Sequence, residues 1–121
     1  MNTFDAVLAS LAAADHVLAS ELAVADATPR GETEVQRMKR KESARTLRTE
    51  QRFLRDLHQR QLKVPEEALA ATIAAALKDS ESAQLTYAPT APTNLEHARF
   101  AAGHRRVAQV LTDITNQLAA A

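Results

Sequence analysis

Cysteine and tryptophan are absent from the 121 residues, and only 2 glycines, 4 prolines, 3 phenylalanines and 1 tyrosine occur. Without cysteine there is no disulfide, no thiolate zinc site and no cysteine nucleophile. With Gly31 and Gly103 as the only glycines, no glycine-rich loop can cradle a nucleotide phosphate. Basic residues are missing before Arg30, so the N-terminus has neither the positive region of a secretory signal nor the arginine-rich face of a transit peptide. No unbroken apolar run approaches the ~18 residues that span a bilayer. The expectation is a protein of the cytoplasm or of a soluble assembly, without membrane contact.

What is present argues for helices. Alanine is abundant, β-branched residues are scattered, and no stretch alternates at period two. The expected fold is all-α: a single domain over 1–121, built as a bundle of about four helices near 2–27, 32–62, 65–83 and 94–120. Asn2 or Thr3 can cap the first helix, whose apolar stripe runs Phe4, Val7, Leu8, Leu11, Ala14, Leu18, Leu22 and Ala25. Asp15 falls within that stripe and is expected at its edge, or paired with an arginine of the next helix. Residues 85–93, LTYAPTAPT, read as an extended, polyproline-like connector with Tyr87 alone in it. Thr93 and Glu96 have capping-box spacing before the last helix.

That last helix has the most regular apolar seam: Phe100, His104, Val107, Leu111, Ile114 and Leu118, at spacings 4, 3, 4, 3, 4. This is heptad spacing, suited to docking on another helix or on a second copy. Phe4, Phe53 and Phe100 sit on separate helices and are expected to anchor a shared core.

Charge is balanced at 15 basic and 15 acidic residues, but unevenly placed. Between Arg30 and Lys63 lie 11 Lys/Arg and 5 Asp/Glu, a net of +6, leaving −6 for the rest. Six of the basic residues, Arg37, Lys41, Arg45, Arg48, Arg52 and Arg55, recur at spacings 4, 4, 3, 4, 3. At roughly 100° per residue they share about a quarter of the circumference of the long second helix. Like charges so placed repel by roughly 0.2–0.5 kcal/mol per pair, which invites acidic protein or phosphate. This basic face is the candidate partner-binding site.

Catalysis finds little support. None of His16, His58, His97 and His104 has an Asp or Glu three positions before it, so the Glu-x-x-His unit of di-metal bundles is missing. His104 on the seam is expected to be a core histidine making one hydrogen bond. The serines all fall in helical pattern. No catalytic residue, metal site, cofactor or small-molecule substrate is expected. The leading functional expectation is a non-enzymatic structural or adaptor protein that packs into a larger, homo-oligomeric assembly; small helical ring and connector proteins of virions and secretion machines share its general shape. Two alternatives stand beside it. One is a sequence-tolerant nucleic-acid-binding module using the arginine face, although that face has no aromatic, Asn or Gln before Gln59 and the chain is neutral. The other is a small inhibitor docking on an acidic protein surface.

Overall fold

The computed structural model describes residues 3–120; Asn2, one of the two candidate caps, lies outside them. The described chain is all-helical, with four helices and no strand: α1 Thr3–Asp26, α2 Glu34–Gln61, α3 Leu69–Tyr87 and α4 Leu95–Ala120. Single 3-10 turns at Glu66–Ala68 and Ala91–Thr93 precede α3 and α4.

The helix ends follow local chemistry. Gly31 adopts φ 75°, a left-handed conformation that suits glycine and turns the chain between α1 and α2. Thr33 then caps α2: the Gln36 N–H donates to Thr33 Oγ1 at 3.2 Å, and the Thr33 N–H donates to Gln36 Oε1 at 2.9 Å. This reciprocal pair is a capping box, and α2 runs unbroken for 28 residues.

Two sequence-based expectations fail further on. The 85–93 segment is not extended. Leu85, Thr86 and Tyr87 complete α3, and the Thr90, Ala91 and Thr93 N–H groups donate back three residues to Tyr87, Ala88 and Thr90. A proline's fixed φ and missing donor are as compatible with the first positions of a helical turn as with an extended strand, and here the turn wins. Thr93 and Glu96 form no capping box either. Asn94 takes that role, its Oδ1 accepting from the His97 N–H at 3.1 Å.

Side-chain pairs between helices give their directions. Arg48 reaches Asp26 and Arg55 reaches Asp15, so α2 runs against α1. Arg106 meets Glu21 and Gln117 meets Ser10, so α4 also runs against α1. Arg99 meets Glu42 and Arg106 meets Glu50, which makes α2 and α4 parallel. The end of α3 meets the start of α4 through Tyr87 and Phe100, closing an up-down-up-down order.

The core joins Val7, Leu11 and Leu18 of α1, Leu54 and Leu57 of α2, Leu69 and Ile73 of α3, and Val107, Leu111 and Ile114 of α4. Burying one such side chain stabilises by about 1.5–3 kcal/mol. The three phenylalanines divide between places. Phe53 and Phe100 stack with centroids 6.1 Å apart, whereas Phe4 packs against the core from the start of α1. Tyr87, far from being alone, lies edge-on to Phe100 and His97, with centroids 5.3 and 5.2 Å away.

Candidate interaction surface

The regular spacing of the α4 seam is used inside the subunit. Val107, Leu111 and Ile114 are buried in the shared core, and Leu118 packs against it. Phe100 and His104 join the rings of Phe53 and Tyr87; the His104 ring lies 4.7 Å from Phe53 and is parallel to Tyr87 at 6.0 Å. Among the described residues the His104 ring has no hydrogen-bond partner, contrary to expectation. Ring contacts take the place of a polar partner, and burial pushes its imidazole pKa below the ordinary range.

The basic face of α2 is continuous, as its spacing requires, and its charges are met largely within the chain. Arg55 Nε donates to Asp15 Oδ1 at 3.0 Å, and Arg48 Nη2 donates to both Asp26 oxygens at 2.7 and 2.9 Å. Arg37 pairs with Glu34 at 3.0 Å and Arg45 lies 3.9 Å from Glu42. The Arg52 guanidinium sits over the Phe53 ring, 5.4 Å from its centroid. Lys41 is exposed and, among the described residues, has no ion-pair partner. Most of these arginines remain half exposed, and surface pairs of this kind contribute about 0–1 kcal/mol each.

Stronger ion pairs involve residues outside that stripe. Arg99 grips Glu42 with two hydrogen bonds of 2.8 Å, which holds the Glu42 carboxyl below the usual range. Arg106 bridges three helices, 2.7 Å from Glu21 on α1 and 3.3 Å from Glu50 on α2. Glu50 is only 9 % exposed, and desolvation outweighs the nearby guanidinium, so its pKa is raised. Arg40 joins Glu32 at 2.7 Å and the Ala25 carbonyl oxygen at 3.3 Å, tying the α1–α2 turn to both helices. Sequence spacing gave no signal for these partners, because each depends on which helices become neighbours. Among the described residues, no three of His, Asp and Glu converge where a metal ion could sit.

The outer surface of α1 also departs from expectation. Although acidic residues break its apolar run, the 24-residue helix is long and apolar enough, by length and composition, to cross a membrane. Its own contacts explain part of that character: Val7, Leu11 and Leu18 face the core, while Asp15 and Glu21 are ion-paired to α2 and α4. From Ala9 to Val24 the exposed positions are Ala9, Ala12, Ala13, His16, Val17, Ser20, Ala23 and Val24, with no Asp, Glu, Lys or Arg among them.

Among the described residues seven large apolar side chains are exposed, and five of them share one end of the bundle. Val24 is near the end of α1, Val35 and Met38 at the start of α2, Leu85 near the end of α3, and Leu95 at the start of α4. They are between 61 % and 78 % exposed. At the same end, Glu34–Ser43 of α2 contains no buried residue. Around it lie the neutralised pairs Arg37–Glu34, Arg40–Glu32 and Arg99–Glu42. The arrangement is a set of exposed apolar side chains bordered by ion pairs and by the unpaired cations Arg30, Lys39 and Lys41. Comparison of the chain with protein-family models, curated proteins and solved structures finds no match.

Proposed function

We propose that this is a non-enzymatic structural or adaptor protein that works by self-association through the apolar end of its bundle. The supporting observation is the concentration of Val24, Val35, Met38, Leu85 and Leu95 at that end. Single exposed hydrophobic residues are ordinary, whereas a group at one end marks a surface that gains by being covered. The first ten residues of α2 add to this. A capped helix of that length is marginal in water without packing, and within the subunit these residues have none that is buried.

A second copy suits this end better than a charged partner. Three acidic–basic pairs lie around it, and although Arg30, Lys39 and Lys41 have no ion-pair partner among the described residues, the five apolar side chains themselves gain only from an apolar partner. An apolar patch is complementary to itself and suits a two-fold contact. The basic face of α2 gives weaker support to nucleic-acid or acidic-protein binding, since only Lys41 and Arg52 among its six cations lack a carboxylate partner.

The absence of cysteine makes a clean test. Met38→Cys is introduced at the apolar end and Leu62→Cys at the opposite end of α2, both at exposed positions. Under mild oxidation at micromolar concentration, the Met38→Cys chain is expected to form a disulfide-linked dimer much faster than the Leu62→Cys chain. Equal rates, or faster coupling through Leu62→Cys, would contradict the reading.

A further inference from the structure

The cleft between α2 and α3, floored by α4, encloses about 390 Å³, a size at the small end of the range that holds metabolite-sized ligands. Phe53, Leu57, Ala76 and Val107 make its apolar wall. Its innermost polar groups are anomalous. Gln61 is 2 % exposed, and its Oε1 is buried without a hydrogen-bond partner. Ser80 is 6 % exposed; its hydroxyl makes no bond to any described residue but, unlike Gln61 Oε1, remains accessible from the cleft. By contrast, the Thr72 hydroxyl in the same cleft donates to the Ala68 carbonyl oxygen at 2.8 Å. Folded proteins rarely leave buried polar atoms unpaired, and those left beside a cavity are candidates for a ligand's hydrogen bonds.

Charge at the rim selects the kind of ligand. Asp56, Arg60 and Asp79 line it. Arg60 is tied to Asp56 at 3.2 Å, and Asp79 has no cation partner among the described residues. His104, the remaining titratable group on the wall, is held toward its neutral form by burial. The cleft therefore carries one uncompensated negative charge, acceptors at depth and an aromatic wall. An anion would meet the Asp79 carboxylate and gain only a guanidinium that is already engaged.

We propose that this cleft binds a small monoamine, its ammonium group donating to the Asp79 carboxylate, the Ser80 hydroxyl and the Gln61 amide oxygen, and its apolar body lying against Phe53, Leu57 and Val107. This is independent of self-association, because the cleft lies between α2 and α3 and includes none of the five exposed residues of the apolar end.

The test is titration of the intact chain with three probes of one shape: phenethylamine, 2-phenylethanol and phenylacetate, followed by backbone amide NMR. Phenethylamine is expected to give saturable shifts around Gln61, Ser80 and Val107, with half-saturation near or below roughly 1 mM. Asp79→Asn, at an exposed position that leaves packing untouched, is expected to weaken it about tenfold. Gln61→Leu is expected to weaken binding while raising the thermal midpoint, because it removes the orphaned amide. Absence of saturable shifts up to roughly 10 mM, phenylacetate binding as tightly as the amine, or unchanged affinity in Asp79→Asn would each overturn the proposal.

Discussion

Gly103 lies in the middle of α4, where glycine costs a helix about 1 kcal/mol relative to alanine. The reason for it is Phe53: a Cβ on Gly103 would fall 2.5 Å from Phe53 Cδ2 and 2.7 Å from Cε2. The ring also touches Phe100, His104 and the Arg52 guanidinium, so moving aside toward the α2–α3 cleft it borders would break those contacts. Gly103→Ala is expected to destabilise by about 1–3 kcal/mol, as overpacked cores do, despite the gain in helix propensity. Urea denaturation measures it, and a neutral or stabilising result would refute the wedge. His104 supplies a pH dependence. Its folded-state pKa is lowered by burial from the ordinary 6.5. Above 6.5 folded and unfolded chains are both neutral here. As pH falls through 6.5 the unfolded chain takes up the proton first, so stability declines until the lowered folded value is passed. Glu50, whose pKa is raised, works in the opposite direction at lower pH, so the comparison that isolates His104 is wild type against His104→Gln. The loss between about pH 7.5 and 5.5 is expected to be smaller in the variant. At this scale the sequence was informative only where an effect is local. Asp15, expected at the edge of its stripe or paired with an arginine of the next helix, meets Arg55 as that arginine, but Tyr87 against His104, or Phe53 against Gly103, requires knowing which turns of α2, α3 and α4 come together.

Among elements, period and composition located all four helices, and the differences lie at their ends. Thr33 with Gln36 starts α2 in a capping box, and Asn94 caps α4 where Thr93 has the expected spacing. Both cases are decided by which side chain reaches an unsatisfied N–H, a matter of φ and ψ at single residues. The proline-containing segment before α4 shows the same limit, since Pro89 and Pro92 fit a tight turn as readily as an extended run. The α4 seam was legible as a packing face, whereas its occupants, three helices of the same chain instead of another copy, were not. Arg106 is the clearest inter-element tie, joining α4 to Glu21 of α1 and Glu50 of α2. Arg106→Ala would leave Glu50 nearly buried without its cation and is expected to cost about 2 kcal/mol. Glu50→Gln removes the desolvated charge itself and is expected to cost less than about 1 kcal/mol. Thermal denaturation of the two variants gives the order; a larger loss in Glu50→Gln would show that the carboxylate is a net stabiliser.

Over the whole molecule, folding brings part of the +6 segment 30–63 against the −6 remainder of the sequence. Asp15 and Asp26 on α1 accept from Arg55 and Arg48 on α2, whereas Glu42 and Glu50 of the basic segment accept from Arg99 and Arg106 of the acidic remainder. Charge segregation was plain in the sequence, but its resolution within one chain depends on α1 lying antiparallel to α2, which no local pattern specifies. Folding also leaves apolar groups uncovered: the five exposed side chains at one end and the charge-free outer positions of α1. The bundle's candidate for assembly is thus its end, with the arginine face reduced to a secondary feature. Equal charge of both signs gives no long-range repulsion between copies, so association driven by apolar burial should persist in high salt, unlike contacts made by guanidinium groups. Sedimentation equilibrium across a concentration series, at low and high salt, tests the central claim most directly. The account predicts a reversible dimer or larger species at tens of micromolar that survives high salt and is lost in a Met38→Glu, Leu95→Glu double variant; a wild-type chain that stays monomeric throughout would contradict it.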